Sequence, residues 1–178
     1  MTNRQPIKVM KESDKFVVAN KLTVRAGTGF DFIQNYLLDN PTDPAYIRSV
    51  YILEAFNFEL LIKSRFITLY KGNNLQDIEE KLRSLSHKLD ELAGCIGMVE
   101  LKKIGIRSIV KIPGLYKIET DFGDLEVYDF TNIRYDFFDK KITYISKDEH
   151  KKLIEKLEIF YKLLEKVKMN NNITRALP

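Results

Sequence analysis

The feature that most constrains this chain is the segment "AYIRSVYILEAFNFELLIKSRFITLY" at residues 45–70, in which apolar side chains occupy almost every direction of a helix. Asp43 and Pro44 before it are typical of a helix N-cap and first turn, and Gly72 follows its end. An amphipathic surface helix has one apolar stripe, whereas a helix that is apolar all round packs against neighbours on several sides. The sequence therefore predicts a central helix surrounded by the rest of the chain.

Three further stretches have helical patterns. "TGFDFIQNYLLD" at 28–39 has apolar residues at helical spacing and ends before an Asn-Pro pair. Leucine and isoleucine residues recur in steps of three and four over 75–92, which predicts an apolar seam that ends near Gly94. "SKDE" at 146–149 has the form of a capping box and opens a last helix that we expect to run to about Val167.

The pattern changes between Gly105 and Ser146. Short β-branched and aromatic segments alternate there with turn sequences, which is typical of strands joined by tight connections. These segments are "IRSIVKI", "LYKIE", "LEVYDF", "IRYDFF" and "KITYI". We predict a mainly α fold: an up-and-down bundle of four to five helices with a small antiparallel β-meander inserted at about 105–145, all within one domain spanning 26–167.

Both termini lack a core pattern. Residues 1–25 hold six basic and two acidic side chains, an excess that equals the formal net charge of +4 of the whole chain. We interpret them as a basic N-terminal arm, partly disordered in solution, which gives only weak support for a nucleic-acid partner because short charged termini are common. We interpret residues 168–178 as a polar tail.

Composition excludes several classes of protein. The chain has a single cysteine, Cys95, so it forms no intrachain disulfide, and no apolar run approaches the roughly 18 residues of a membrane helix. The N-terminus lacks the apolar segment of a secretory signal, and we expect a cytoplasmic protein without contact to a membrane. The two histidines, His87 and His150, lie far apart without paired-ligand spacing, so neither a zinc site nor another cofactor is expected.

His87 lies in "RSLSHKLDELAG", where two helix arrangements are open. In one continuous helix, His87 points away from the leucine seam, beside Arg83, as an exposed side chain. If the helix breaks near Ser84 or Ser86, His87 lies in a first helical turn. There the helix dipole favours a neutral imidazole that accepts a proton or a hydrogen bond.

Two other features carry charge in unusual surroundings. Glu59 and Lys63 form an i, i+4 pair on the apolar central helix, so at least part of the pair must face a groove, a neighbouring chain or the polar edge of the core. Arg134 in "NIRYDFF" is either a strand-edge arginine in solvent or a guanidinium that holds an anion near the helices.

Together, four ordered segments resemble the HEPN family, the nucleotide-binding helical domain of higher eukaryotes and prokaryotes. "AGTGFDFIQNYLLDN" is similar to its first helix, and "FELLIKSRFI" resembles its second-helix stretch with Glu59 and Lys63 at the family's Glu and Lys positions. "SHKLDEL" resembles the Gly-His-Asp-Leu segment and places His87 at its histidine. "IRYDFF" resembles the Arg-Tyr-Pro segment and places Arg134 and Tyr135 there.

The resemblance covers about residues 26–167, and two positions depart from the family pattern. Lys88 stands where the family has an aspartate after the histidine, and Asp136 replaces the proline after Arg-Tyr. The segment from about Gly105 to Asn132 has no counterpart in a minimal member and is interpreted as an insertion.

The resemblance implies two kinds of activity. Many members are metal-independent endoribonucleases that use an arginine, four to six residues, then a histidine, completed across a dimer. Here only three residues separate Arg83 from His87. Other members are modules associated with nucleotides, RNA or a partner nucleotidyltransferase in toxin–antitoxin and defence systems.

Three hypotheses follow for this chain. The first is a non-catalytic nucleotide- or RNA-binding module, a homodimer without a cofactor. Its binding residues are Glu59, Lys63, His87, Arg134 and Tyr135. The second is an endoribonuclease with His87 as general base and Arg83 or Arg134 stabilising the phosphorane. The third is a helical protein-interaction or structural module whose aromatic residues serve an interface.

Overall fold

A computed structural model describes residues 12–39, 44–72, 74–130 and 147–176. Within these ranges the chain is mainly helical, and a small antiparallel sheet is inserted before the last helix, as predicted. The elements are α1 (Glu12–Asp39), α2 (Pro44–Leu69), α3 (Leu75–Leu85), α4 (Leu89–Ile96), α5 (Met98–Lys103), β1 (Ile106–Ile112), β2 (Leu115–Thr120), β3 (Gly123–Tyr128) and α6 (Lys147–Ala176). None of the described helices has both the length and the apolar character needed to cross a membrane.

The apolar helix α2 occupies the centre, as its sequence predicts. It packs against α1, α4, α6 and β3. Its Phe58, Leu61 and Ile62 are completely buried, and Phe58 lies 5.8 Å from Phe160 of α6 between ring centroids. Phe160 also stacks on Phe30 of α1 at 4.8 Å, so three helices share one aromatic core.

Helix α1 begins at Glu12, so the prediction of a disordered arm is wrong for residues 12–25. Small polar contacts hold this part of α1 against α2. The hydroxyls of Thr23 and Ser64 lie 2.6 Å apart, and Ser64 donates to the carbonyl of Ala19 at 2.8 Å. Thr23 and Ser64 are buried although they are polar, so an apolar pattern in the sequence does not reveal this part of the helix. Residues 1–11 lie outside the described ranges.

Helix α6 also extends further than predicted, because the expected polar tail from residue 168 is helical as far as Ala176. Asn170 donates to the carbonyl of Lys103 at 3.1 Å, and Asn171 donates to Ser64 at 2.9 Å. Asn170 and Asn171 therefore pack on polar groups of α5 and α2, whereas Asn172 and Arg175 face solvent.

The break between α3 and α4 settles the choice between the two helix arrangements, and the continuous helix is wrong. Ser86 caps the C-terminus of α3 with φ +50°, and α4 begins after Lys88. Leu85 and Leu89 on either side are buried. His87 lies in the turn just before α4, close to but not within the first helical turn proposed from the sequence.

The sheet has the order β1-β2-β3 with both pairings antiparallel. Tyr116 and Ile118 of β2 and Leu125 and Val127 of β3 are buried and alternate with exposed positions, as expected for a sheet with one face on the core. The first three predicted strands are confirmed. The predicted strands "IRYDFF" and "KITYI" lie outside the described residues.

Candidate functional site

The candidate site is a cluster of three charged or titratable side chains, Glu59, Lys63 and His87, which we call the Glu59 cluster. The carboxylate of Glu59 bridges the other two: Oε1 lies 2.5 Å from Lys63 Nζ, and Oε2 lies 2.8 Å from His87 Nδ1. The Glu59 side chain is only 3% exposed, whereas the side chains of Lys63 and His87 are 18% and 30% exposed. The cluster therefore has a buried anionic base and two cation-forming groups that reach solvent.

The hydrogen bond to Glu59 fixes what His87 can do. An ionised carboxylate only accepts, so Nδ1 carries the proton and Nε2 is left as the functional nitrogen. Nε2 has no hydrogen-bond partner among the described residues. It can accept a hydrogen bond or a proton when the ring is neutral, and it donates when the ring is protonated.

The ring of His87 is also held by packing. It lies 4.7 Å from the ring of Phe130, which in turn lies 5.7 Å from Phe56 of α2. These contacts and the hydrogen bond to Glu59 leave the imidazole little freedom to rotate. A site whose groups are already oriented loses less entropy when a ligand binds.

The local sequence explains why His87 stands out from the helices. Leu85 and Leu89 are spaced like neighbours on one helical face and both are buried, but the backbone between them turns at Ser86. Ser86 has φ +50° and ψ −124°, a backbone conformation that residues with a Cβ rarely adopt. Its N–H donates to the carbonyls of Leu82 and Arg83, and the turn directs His87 towards Glu59.

The structure brings together three of the residues singled out from the sequence. Glu59, Lys63 and His87 form one cluster, although 28 positions separate the carboxylate from the imidazole. Arg83 does not join it: its side chain is 76% exposed and pairs with Glu79 on the same helix at 2.7 Å. Arg134 and Tyr135 lie outside the described residues, and their proposed binding role stays a prediction.

Sequence reasoning missed a second charged group on α2, centred on Arg65. Its guanidinium is almost completely buried, pairs with Glu100 of α5, and donates to Asn171 and Thr174 of α6 at 3.3 and 3.0 Å. We call these four residues the Arg65 cluster. A signal was present, because any charged residue on a helix that is apolar all round needs a buried partner.

Glu54, also on α2, is another buried charged residue that sequence reasoning missed. It pairs with Lys156 of α6 at 2.6 Å and is 1% exposed. Burial raises the pKa of the Glu54 carboxyl, and the charge of Lys156 opposes that rise. This pair joins two helices, and Lys156, which is 14% exposed, also lines a pocket between β3 and α6.

Comparisons with known proteins add no relative to this picture: no family model, curated protein or solved structure matches the chain. Within the ranges that the structure describes, no group of three or more histidine, cysteine, aspartate or glutamate side chains is placed to hold a metal ion. The chemistry of the site is therefore argued from its own geometry.

Proposed function

We propose that this chain is a HEPN-like, non-catalytic module that binds a nucleotide or RNA through the Glu59 cluster. The supporting observation is the shared carboxylate of Glu59, which orients His87 while Lys63 and His87 both remain partly exposed. When His87 is protonated, the cluster carries one net positive charge next to a preoriented N–H donor. That combination suits a phosphate oxygen, because charge-assisted hydrogen bonds from fixed donors are the strong ones.

The roles within the cluster differ. His87 and Lys63 contact the anionic group of the ligand, and Glu59 positions both of them from below. The neighbouring ring of Phe130 packs beside His87 and helps to fix the imidazole. The sequence resemblance adds Arg134 and Tyr135 as further binding residues.

Fluorescence anisotropy with labelled single-stranded RNA, together with thermal shifts in AMP, GMP and inorganic phosphate, tests this proposal. We expect His87→Ala to weaken binding about tenfold or more, the order expected for one charge-assisted hydrogen bond. The matched control is Lys117→Gln, which removes an exposed charge on β2. Equal affinity in His87→Ala and the control, or no binding by the wild type, rejects the proposal.

A second candidate function is a metal-independent endoribonuclease, and one observation favours it. The Glu59–Nδ1 hydrogen bond leaves Nε2 free to act as a general base, the arrangement found where a carboxylate orients a catalytic histidine. Of the two arginines considered from the sequence, Arg134 would stabilise the phosphorane, since Arg83 pairs with Glu79 outside the cluster. Incubation of mixed RNA with the protein and a chelator decides, since cleavage that disappears in His87→Ala supports the enzyme and intact RNA rejects it.

The same resemblance supplies the proposed partners. A homodimer and a partner nucleotidyltransferase, in a toxin–antitoxin or defence system, are proposals of this kind, and a cytoplasmic location is proposed from the single cysteine. The competing hypothesis is a helical protein-interaction module. It predicts a stable oligomer whose assembly tolerates His87→Ala, as measured by light scattering after size-exclusion chromatography.

A further inference from the structure

A groove of about 630 Å³ runs between α1 and α2, on the side of α2 next to the Glu59 cluster. We call it the α1–α2 groove. Phe32 of α1 and Phe56 of α2 line it, and Phe32 is 55% exposed. Among the described residues of its lining, the charged ones are Lys21 and Arg25, both exposed, and none of the described lining residues is a carboxylate. The groove therefore offers aromatic surface next to positive charge.

Asn57 shows that the groove also offers a buried polar group. Its side chain is 2% exposed and lines the groove; its amide nitrogen is enclosed against α1 without a hydrogen-bond partner among the described residues, so the amide oxygen is the atom left to a ligand. A ligand that donates to this oxygen gains a hydrogen bond worth about 0.5–1.5 kcal/mol. The donor groups of nucleobases, such as the exocyclic amine of adenine, are of the kind that asparagine recognises.

Gly29 makes room for this amide. A Cβ placed on Gly29 would lie 2.2 Å from Asn57 Nδ2 and 2.4 Å from its Cγ, far inside contact distance. Glycine at this position of α1 lowers helix propensity by about 1 kcal/mol relative to alanine. That loss is offset because the backbone of α1 can approach the Asn57 side chain closely.

We propose that the α1–α2 groove is a nucleotide-binding subsite, in which the Asn57 amide oxygen accepts from an N–H group of the base, the rings of Phe32 and Phe56 contact the base, and Lys21 and Arg25 hold the phosphate. An amphipathic protein helix fits these observations less well. The positive rim and the unpartnered amide would then need acidic and polar groups at matching positions of that helix.

Packed aromatic rings join the groove to the Glu59 cluster. Phe56 lines the groove and contacts Phe130, and Phe130 contacts His87. Aromatic side chains that follow one another beside cations are the usual surface for single-stranded RNA, because each base has a face that stacks. A strand bound at His87 would continue into the groove, and this extension rests on the function proposed above.

The test measures binding of a labelled ten-nucleotide single-stranded RNA by fluorescence anisotropy at two salt concentrations. The Lys21→Gln/Arg25→Gln variant is expected to bind about tenfold more weakly, with a smaller dependence on salt, because two phosphate contacts are lost. Asn57→Leu keeps the side-chain size, removes the acceptor, and is expected to lose a similar factor. The matched control, Lys117→Gln/Lys151→Gln, removes two exposed charges elsewhere and keeps wild-type affinity.

The outcomes separate this inference from the proposed function. If His87→Ala weakens binding and the groove variants do not, the subsite is wrong and the proposed function stands. If the groove variants weaken binding and His87→Ala does not, the groove binds RNA and the Glu59 cluster does not. Loss of self-association in Phe32→Ser, with RNA affinity unchanged, would assign the groove to a second copy of the chain and overturn the subsite. If Asn57→Leu fails to fold, the exposed Lys21→Gln/Arg25→Gln pair decides.

Discussion

Two charged clusters on α2, the Glu59 cluster and the Arg65 cluster, differ in which charge is enclosed and which reaches solvent. Arg65 is 2% exposed, and its partners come from α5 and α6, so the guanidinium is enclosed between helices, while the Glu100 side chain remains 24% exposed. Glu59 is 3% exposed, but its partners Lys63 and His87 are partly open to solvent. The Arg65 cluster encloses its cation and leaves a carboxylate partly exposed, whereas the Glu59 cluster encloses its carboxylate and leaves two nitrogen groups where an anionic ligand can meet them.

The comparison shows that burial of one charged residue does not identify a functional site. Glu59 and Arg65 are almost equally buried and lie six positions apart on one helix. What differs is the element on which the partners lie: Asn171 and Thr174 belong to a packed helix, while His87 belongs to a turn. The sharpest tests of the comparison substitute a residue of one cluster and compare the effect with that of a substitution in the other.

The largest effect is expected for Arg65→Ala. It leaves a cavity and removes the partner of Glu100, Asn171 and Thr174, so we expect the free energy of unfolding to fall by about 3–5 kcal/mol. Lys63→Ala, on the same helix, should cost less, about 1–3 kcal/mol, because the buried Glu59 loses one partner and keeps its contact with His87. Urea unfolding of both variants checks this, and equal losses would contradict the distinction between an enclosed cation and a partly exposed one.

A smaller effect on stability is expected when the pH is lowered. Hydrogen bonds to Lys103, and then to Arg65, lower the pKa of the Glu100 carboxyl from its usual 4.5, so its contribution to stability is present above that value. This contribution is lost as pH falls through the lowered pKa of the folded state.

Unfolding curves of wild type and Glu100→Gln from pH 7 to pH 3 measure that contribution. We expect the wild type to be more stable at pH 7 and the difference to shrink towards acid. A difference that is constant over this range would show that Glu100 does not stabilise the Arg65 cluster through its charge.

The smallest effect is expected at the turn that positions His87 in the Glu59 cluster. Ser86 has φ +50°, where glycine has no Cβ penalty, so Ser86→Gly should stabilise the protein by about 0.5–1 kcal/mol. The same change loosens the turn that positions His87 and should weaken ligand binding. Thermal unfolding measures the first effect, and a lower melting temperature in Ser86→Gly would show that the turn carries no strain.

How far the sequence predicted the site can be seen from Glu59 and His87. Both were selected from the sequence, His87 by its place in "SHKLDEL" and Glu59 by its pairing with Lys63, and the structure brings them to 2.8 Å. Arg65 and Asn57 were not selected. Their importance comes from what surrounds them, namely three polar partners for Arg65 and the space left by Gly29 for Asn57.

The sequence by itself determined the elements whose signal is local. The apolar pattern of α2 required a central helix, and β-branched segments separated by turns required the strands of the sheet, because both signals follow from side-chain periodicity along one element.

Only the tertiary structure decided where α1 begins, how far α6 continues, and that the helix breaks at Ser86. Each of these depends on polar groups that find partners on another element: Ser64 for α1, Arg65 for α6, and Glu59 for His87. A polar side chain looks the same in the sequence whether it faces water or a buried partner, and the free energy of the two placements differs only once the chain is packed.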